Sequence, residues 1–210
     1  AGDSASLAAA LAAGVLAAGH ALDISHFVRT GLLDLACWWE GARVSVLEEQ
    51  KVTYRCGPWD VDRNAHMNNA KFLRVLNYAR RTFWMRNGVW RYVLARSPKT
   101  NMVVTASTIR YRREIKCWAK YAVATRLLYW DPSCFFLEHR FEAEDGFVLA
   151  ICYVKYRIVS ADKAKPVDVL AAVDPEVAKQ QPEPSPDLLA WMCYDEKSSA
   201  ALRPKKPVGP

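Results

Sequence analysis

The sequence predicts an α+β domain in which an antiparallel sheet wraps around one long central helix. An apolar N-terminal helical segment (residues 1–42) precedes the domain (43–160), and a C-terminal extension (161–210) follows it. Three observations carry this reading. Residues 68–86 place apolar side chains at helical spacing. Four long runs of alternating apolar and charged residues follow, between residues 101 and 160. Short turn sequences join these runs, so neighbouring strands must run antiparallel.

Ser4 to Leu22 carries no Asp, Glu, Lys or Arg, but much of it is Ala. A spanning helix needs about 20 strongly apolar residues, so the stretch reads as a marginal membrane anchor, a helix packed on a partner, or a plain Ala-rich helix. It has no Arg and is bracketed by Asp3 and Asp23, unlike a transit peptide. The sequence begins at Ala1 without a Met, which leaves the native start open. Leu22 to Trp39 continues in helical spacing, with Phe27, Val28, Leu32, Leu35, Trp38 and Trp39 on one side. Val44 to Arg55 turns from mixed to strand-like and ends at Cys56-Gly57-Pro58.

Asn68 and Asn69 can cap the central helix, whose apolar positions include Phe72, Leu73, Leu76, Ala79 and Phe83. Asn87-Gly88 ends it, and a short helix is expected over Trp90 to Arg96. The strand-like runs are Asn101 to Glu114, Cys117 to Trp130, Cys134 to Glu142 and Phe147 to Ser160. Asp131-Pro132-Ser133 and Glu144-Asp145-Gly146 are hairpin turns. Ala161 to Val177 suggests a short helix, Gln180 to Asp187 a Pro-rich linker, and Leu188 to Leu202 a last helix with Trp191, Met192 and Tyr194.

Composition bounds the function. A chain 51% hydrophobic and 24% charged can bury a core and is not disordered by default. Its net charge of +7 favours an anionic partner: a nucleotide-bearing thioester, an anionic membrane face or an acidic protein. No nucleic-acid recognition motif accompanies the charge. Cys37, Cys56, Cys117, Cys134, Cys152 and Cys193 form no C-x-x-C pair and lie at no zinc-ligand spacing from His, so they are expected to be reduced thiols without a metal. That suits cytosol or mitochondrial matrix.

The chemistry concentrates in Trp59-Asp60-Val61-Asp62-Arg63-Asn64-Ala65-His66-Met67-Asn68-Asn69-Ala70-Lys71-Phe72. Two acids, a His and three amides occupy a loop that empties into a helix N-terminus, where backbone N–H groups are unpaired and the dipole is positive. Such a place can polarise a thioester carbonyl while a nearby carboxylate activates water or attacks directly. It can equally be a capping loop with solvated acids and a hydrogen-bonded His66. No G-x-S-x-G is present, so the nucleophile motif of an α/β-hydrolase is missing.

The pattern D-x-D-x-N-x-H-M-N-N-A-x-[FY] resembles that of the 4-hydroxybenzoyl-CoA thioesterase-like hotdog family. The likeness extends through Ala79-Arg80, Thr125 to Asp131, Asp145 to Val148 and Trp191 to Glu196, and to Ala21-Leu22-Asp23 and Val28-Arg29. The resemblance implies a hotdog fold that pairs with a second hotdog chain, as homodimer or heteromer. It also implies hydrolysis of an acyl-CoA or acyl-carrier-protein thioester without a cofactor. Asp62 would be the base or nucleophile, with Asn64 and His66 orienting it or the water. The N–H groups near Asn69 would hold the carbonyl, Asn68 would cap the helix and shape the pocket, and Phe72 would complete the substrate side. Two departures stand out: Ala65 replaces a common Gly, and Phe72 a common Tyr.

The appendages favour a second reading, a catalytically silent accessory subunit of a larger membrane-bound complex. The expected location is an organelle membrane, mitochondrial ahead of endoplasmic reticulum. His139, in a strand-like run, is expected to be a sheet residue and no ligand; His20 and His26 lie in the N-terminal helices. Arg110-Tyr111-Arg112-Arg113 could meet the phosphates of a CoA tail, but a solvated strand face is the simpler expectation.

Overall fold

The computed structural model describes residues 6, 14, 23–40, 44–97 and 99–203. They belong to two compact units, 1–42 and 43–210. The expectation of a buried helix over Ser4 to Leu22 lies outside the described residues, apart from Ser6 and Gly14.

In the first unit, helix α1 (Ile24–Glu40) turns its apolar side outward. Ile24, Phe27, Val28, Leu32, Leu35, Trp38 and Trp39 are all exposed, Trp39 to 83%. The screened side carries His26, Thr30, Asp34 and Cys37. A helix in water normally does the reverse. Among the described residues no helix is long and apolar enough to cross a membrane.

The second unit is the expected helix-and-sheet body. Strand β1 (Gln50–Arg55) precedes the central helix α2 (Asn69–Arg86) and the short α3 (Val89–Arg96). Strands β2 (Asn101–Tyr111), β3 (Lys120–Trp130), β4 (Cys134–Ala143) and β5 (Val148–Val159) follow. Together they make one five-stranded sheet in the order β1-β3-β4-β5-β2. Every neighbouring pair is antiparallel. Irregularities at Val104/Ala106, Leu127/Tyr129 and Phe141/Glu142 bend the strands, as an extra residue in one partner must.

Strand alternation gives the sheet two faces. The inner face meets α2: Phe72 packs on Phe141, and Trp84 on Phe135 and Tyr156. Nine of the 18 residues of α2 are buried, including Arg80. The outer face is capped by α6 (Pro186–Ala201) after two short helices, α4 (Pro166–Val173) and α5 (Pro175–Ala178). Leu188 joins Cys134 and Phe136 in a small outer core, with Trp191 and Met192 against it. Lys155 Nζ lies 2.8 Å from Asp195 Oδ2, pinning the helix further. The expected Pro-rich linker is therefore built into the body. Pro186 is the first residue of α6, where its missing N–H costs nothing, and the Gln181 amide donates to the Trp130 carbonyl.

All six cysteines are free; Cys37, Cys56, Cys134 and Cys152 are buried, whereas Cys117 is half-buried and Cys193 exposed. Burial pushes the Cys152 thiol up to about 12.

His139 is fully buried on the inner face, its Nδ1 2.9 Å from Thr125 Oγ1. Desolvation, helped by the positive charge of Arg80, holds its pKa well below the ordinary 6.5. The unfolded chain therefore binds a proton near pH 6.5 that the folded chain refuses. This contribution to stability is intact above that pH and is lost as pH falls below it. Chemical denaturation of wild type between pH 7 and 5 should lose up to about 1.4 kcal/mol per pH unit more than His139→Gln. Parallel curves for the two proteins would show that His139 takes up its proton without penalty.

Candidate functional site

The geometry of the loop between β1 and α2 follows from a small number of backbone bonds. Asp60 closes its first turn: Gly57 N–H donates to Asp60 Oδ2 at 2.9 Å, and Asp60 N–H to the Gly57 carbonyl at 3.0 Å. Asn68 N–H then reaches back to the Asp60 carbonyl at 2.8 Å. Asp62 closes the second turn. Its carbonyl accepts from Ala65 N–H, its N–H donates to the His66 carbonyl, both at 3.0 Å, and its Oδ1 accepts from Asn64 N–H at 2.8 Å. Ala65 is forced to φ +60° at the tip. Glycine enters that region freely, whereas alanine does so at a cost.

A second loop, between β2 and β3, zips onto the first. Met67 N–H donates to the Ile115 carbonyl at 2.8 Å, and His66 bridges Lys116. Cys56 N–H donates to the Ala119 carbonyl, and Trp118 N–H to that of Cys56. Met67 and Ile115 are buried beneath the junction. This pairing takes up residues 115–119, while Arg112 and Arg113 N–H both turn to the Leu149 carbonyl, so β2 and β3 are shorter than the alternating runs in the sequence.

The Asn68 side chain caps α2, Oδ1 accepting from Ala70 N–H at 2.9 Å. Lys71 N–H goes to the Asn68 carbonyl. Among the described residues the Asn69 N–H has no acceptor, and it opens the positive end of an 18-residue helix. The Asp62 and His66 side chains remain 25% and 30% exposed, with Oδ1 and Nδ1 3.9 Å apart. A solvent-reachable carboxylate and a vacant N–H thus share one loop–helix junction.

Of the residues expected at the site, Asp62, His66, Asn68 and Asn69 gather at this junction. Asn64 contributes there through its backbone N–H. Phe72 is buried one turn inside α2, its ring edge-on to Tyr111 at 5.0 Å and tilted on Phe141 at 4.8 Å. Sequence reasoning missed Tyr111. Its hydroxyl donates to the Asn69 carbonyl at 3.2 Å, placing the end of β2 beside the start of α2. Burial raises the Tyr111 pKa, keeping the phenol a donor. The phenol that Phe72 lacks is therefore present next door, and only the pairing of a strand end with a helix start reveals it. Arg112 and Arg113 sit over the Phe147 ring, 4.7 and 3.6 Å from its centre, and Arg113 lies 3.6 Å from Asp145. They are tied to the β4–β5 turn. His139 lies in the inner core.

Residues 56–192 match the Thioesterase-like superfamily. The chain belongs to that superfamily. It is 31% identical to Protein THEM6 of Xenopus laevis over 201 residues, covering 95% of this chain and 94% of that one. With Protein THEM6 of Danio rerio it shares 34% over 182 residues, covering 86% and 87%. A hypothetical protein from Thermus thermophilus superposes with a TM-score of 0.54 at 21% identity, covering 61% of this chain and 97% of its own. A Staphylococcus aureus protein solved in complex with CoA gives 0.53 at 15%, covering 70% and 96%. A probable thioesterase from Bartonella henselae gives 0.50 at 16%, covering 56% and 97%. The expected hotdog fold is thereby established.

Holding Ala65 left-handed costs roughly 1 kcal/mol relative to glycine. Ala65→Gly should raise thermal stability by about that amount, while the reverse order of melting temperatures would place the strain elsewhere.

Proposed function

We propose that this chain hydrolyses an acyl thioester carried by CoA or acyl-carrier protein, with Asp62 as the general base. The observation that carries the reading is that the half-exposed Asp62 carboxylate lies on the loop that leads directly into the vacant Asn69 N–H at the α2 N-terminus. The thioester carbonyl oxygen accepts from Asn69 N–H, and the helix dipole polarises it further. Asp62 takes a proton from water as the water oxygen bonds to the carbonyl carbon. The C–S bond then breaks, and the leaving thiolate takes the proton back from Asp62. Asn64 N–H fixes the carboxylate through Oδ1, leaving Oδ2 for water. His66, 3.9 Å away, orients Asp62 or the water. Asn68 and Tyr111 brace the helix start, and Phe72 backs the pocket from the core.

The partner is a second hotdog chain. Among the described residues strand β2 pairs only with β5, so its other edge presents backbone groups without a strand partner beside Tyr111 and the site. Pairing there would wall the open side of the junction. The outward apolar side of α1 supports attachment to an organelle membrane, which we take as mitochondrial. That same feature favours the second reading, an inactive accessory subunit of a membrane complex.

Release of free CoA from acyl-CoAs of short to long chain separates the two. Asp62→Asn keeps the shape and the Asn64 bond, so it should fold normally and lose roughly two to four orders of magnitude in turnover. Asn64→Ala should lose far less, because the bond comes from its backbone. Wild-type turnover no faster than that of Asp62→Asn on every substrate would favour the accessory subunit.

A further inference from the structure

The two loops that zip together beneath the site also carry two outward tryptophans. Trp59 is 73% exposed and Trp118 59%. Their positions are fixed by consecutive residues. The Trp59 ring lies so close over Gly57 that a Cβ there would come within 2.7 Å of it. Trp118 N–H donates to the carbonyl of Cys56. Trp118 is also held at φ +68°, a conformation bulky residues rarely adopt. Both indoles therefore emerge from the same end of β1, and neither is needed by the core.

Cations surround them in an arrangement that is unfavourable within the chain. Arg55 and Lys120 are directly opposite each other across the β1–β3 ladder, on the outer face, and both are exposed. Like charges in that register repel. Among the described residues Arg55 donates only to the Trp118 carbonyl, and Lys120 forms no ion pair, although it lines a cleft with Glu142 and Glu144. Arg63 and Lys116 are exposed on the same two loops; Lys116 lies 3.6 Å from Glu114. The acids of the first loop each accept from a backbone N–H, Asp60 from Gly57 and Asp62 from Asn64, and neither pairs with these cations.

We propose that this rim is a docking surface for an anionic lipid bilayer. Indole is amphipathic and settles at the headgroup level. Arg and Lys beside it gain from anionic headgroups, and the repulsion between Arg55 and Lys120 is relieved there. Docking would set the mouth of the Asp62 junction close to the membrane surface. The inference does not depend on α1 or on catalysis.

The test uses the full chain and sedimentation with vesicles of phosphatidylcholine alone or mixed with phosphatidylserine. Wild type should bind the mixed vesicles more tightly. Arg55→Gln/Lys120→Gln should remove roughly tenfold or more of that gain and leave binding to neutral vesicles unchanged. Trp59→Ser/Trp118→Gly should weaken binding to both, with glycine relieving the backbone at 118. Tyr194→Ser, an exposed aromatic change on α6, should alter neither. Because α1 is intact in every variant, its own contribution cancels. Hydrogen exchange should show vesicle-dependent protection of residues 57–68 and 115–119, which reads the contact even if a variant is unstable. Vesicle binding that both loop variants leave unchanged overturns the proposal. So does a loss confined to binding of CoA or of a protein. Thioesterase turnover enters none of these readouts, so failure here leaves the Asp62 assignment standing.

Discussion

A helix end can serve as an anion site only if its axis is held firmly while its first N–H groups stay open, and the burial of α2 meets both conditions. Val75, Leu76, Ala79, Phe83 and Trp84 are sunk into the inner face of the sheet, and the same helix emerges at Asn69. Each aromatic ring buried there contributes several kcal/mol, since truncating a core Phe or Trp typically costs about 3–5 kcal/mol. The bulges that curve the strands let five of them reach this one helix. The position of Asn69 is thus set by the whole core, whereas the loop before it has only to deliver Asp62.

Within that core, polar groups are placed where they restrict alternatives. Arg80 is buried, with Nε donating to Tyr156 Oη at 2.6 Å and its guanidinium over the same ring. A second donor group reaches Asn77. It faces His139 and no carboxylate among the described residues, so the histidine must stay neutral. On the outer face a central group of charges is instead paired: Arg140 contacts Glu49, Glu138 and Glu142, and Arg126 also meets Glu138. Desolvation opposes a raised Arg140 pKa, but its carboxylate neighbours outweigh it. Opposite charge balances across one sheet specify which face turns inward.

The fold was legible because its signals are local. The 3.6-residue spacing of α2 and the two-residue alternation of β2 to β5 need no knowledge of distant contacts, and Asn68 announces its own cap. Asp62, His66 and Asn69 were readable for the same reason, lying within eight consecutive residues. What escaped was non-local. Tyr111 joins the site because a strand end meets a helix start 42 residues away. The strand boundaries moved because residues 115–119 pair with the site loop, and Arg112 and Arg113 both crowd onto the Leu149 carbonyl instead of continuing the ladder. The Pro-rich stretch before α6 looked like a linker because composition reports stiffness, not the Trp130 carbonyl that Gln181 reaches. Asn64 was recognised as an amide, yet the group that acts is its N–H, which any residue but proline provides.

Four non-glycine residues among those described have positive φ, and two of them, Ala65 and Trp118, lie in the paired loops. Each conformation costs roughly 1–2 kcal/mol. Backbone bonds from Met67, Asn68, Cys56 and Trp118 cross or close these loops, and at about 1 kcal/mol net apiece they offset that cost. Strain persists only where surrounding contacts over-determine the chain. These bonds are made by backbone groups, so side chains at the surface of the loops are released from structural duty. Asp62, Trp59 and Trp118 can therefore be charged or aromatic for the sake of what they meet outside the chain. The same separation explains why the Asp62 carboxylate can stand beside the His66 ring, 3.9 Å away, while Lys51, Arg126, Arg140 and Lys155 on the outer sheet face each sit on a carboxylate.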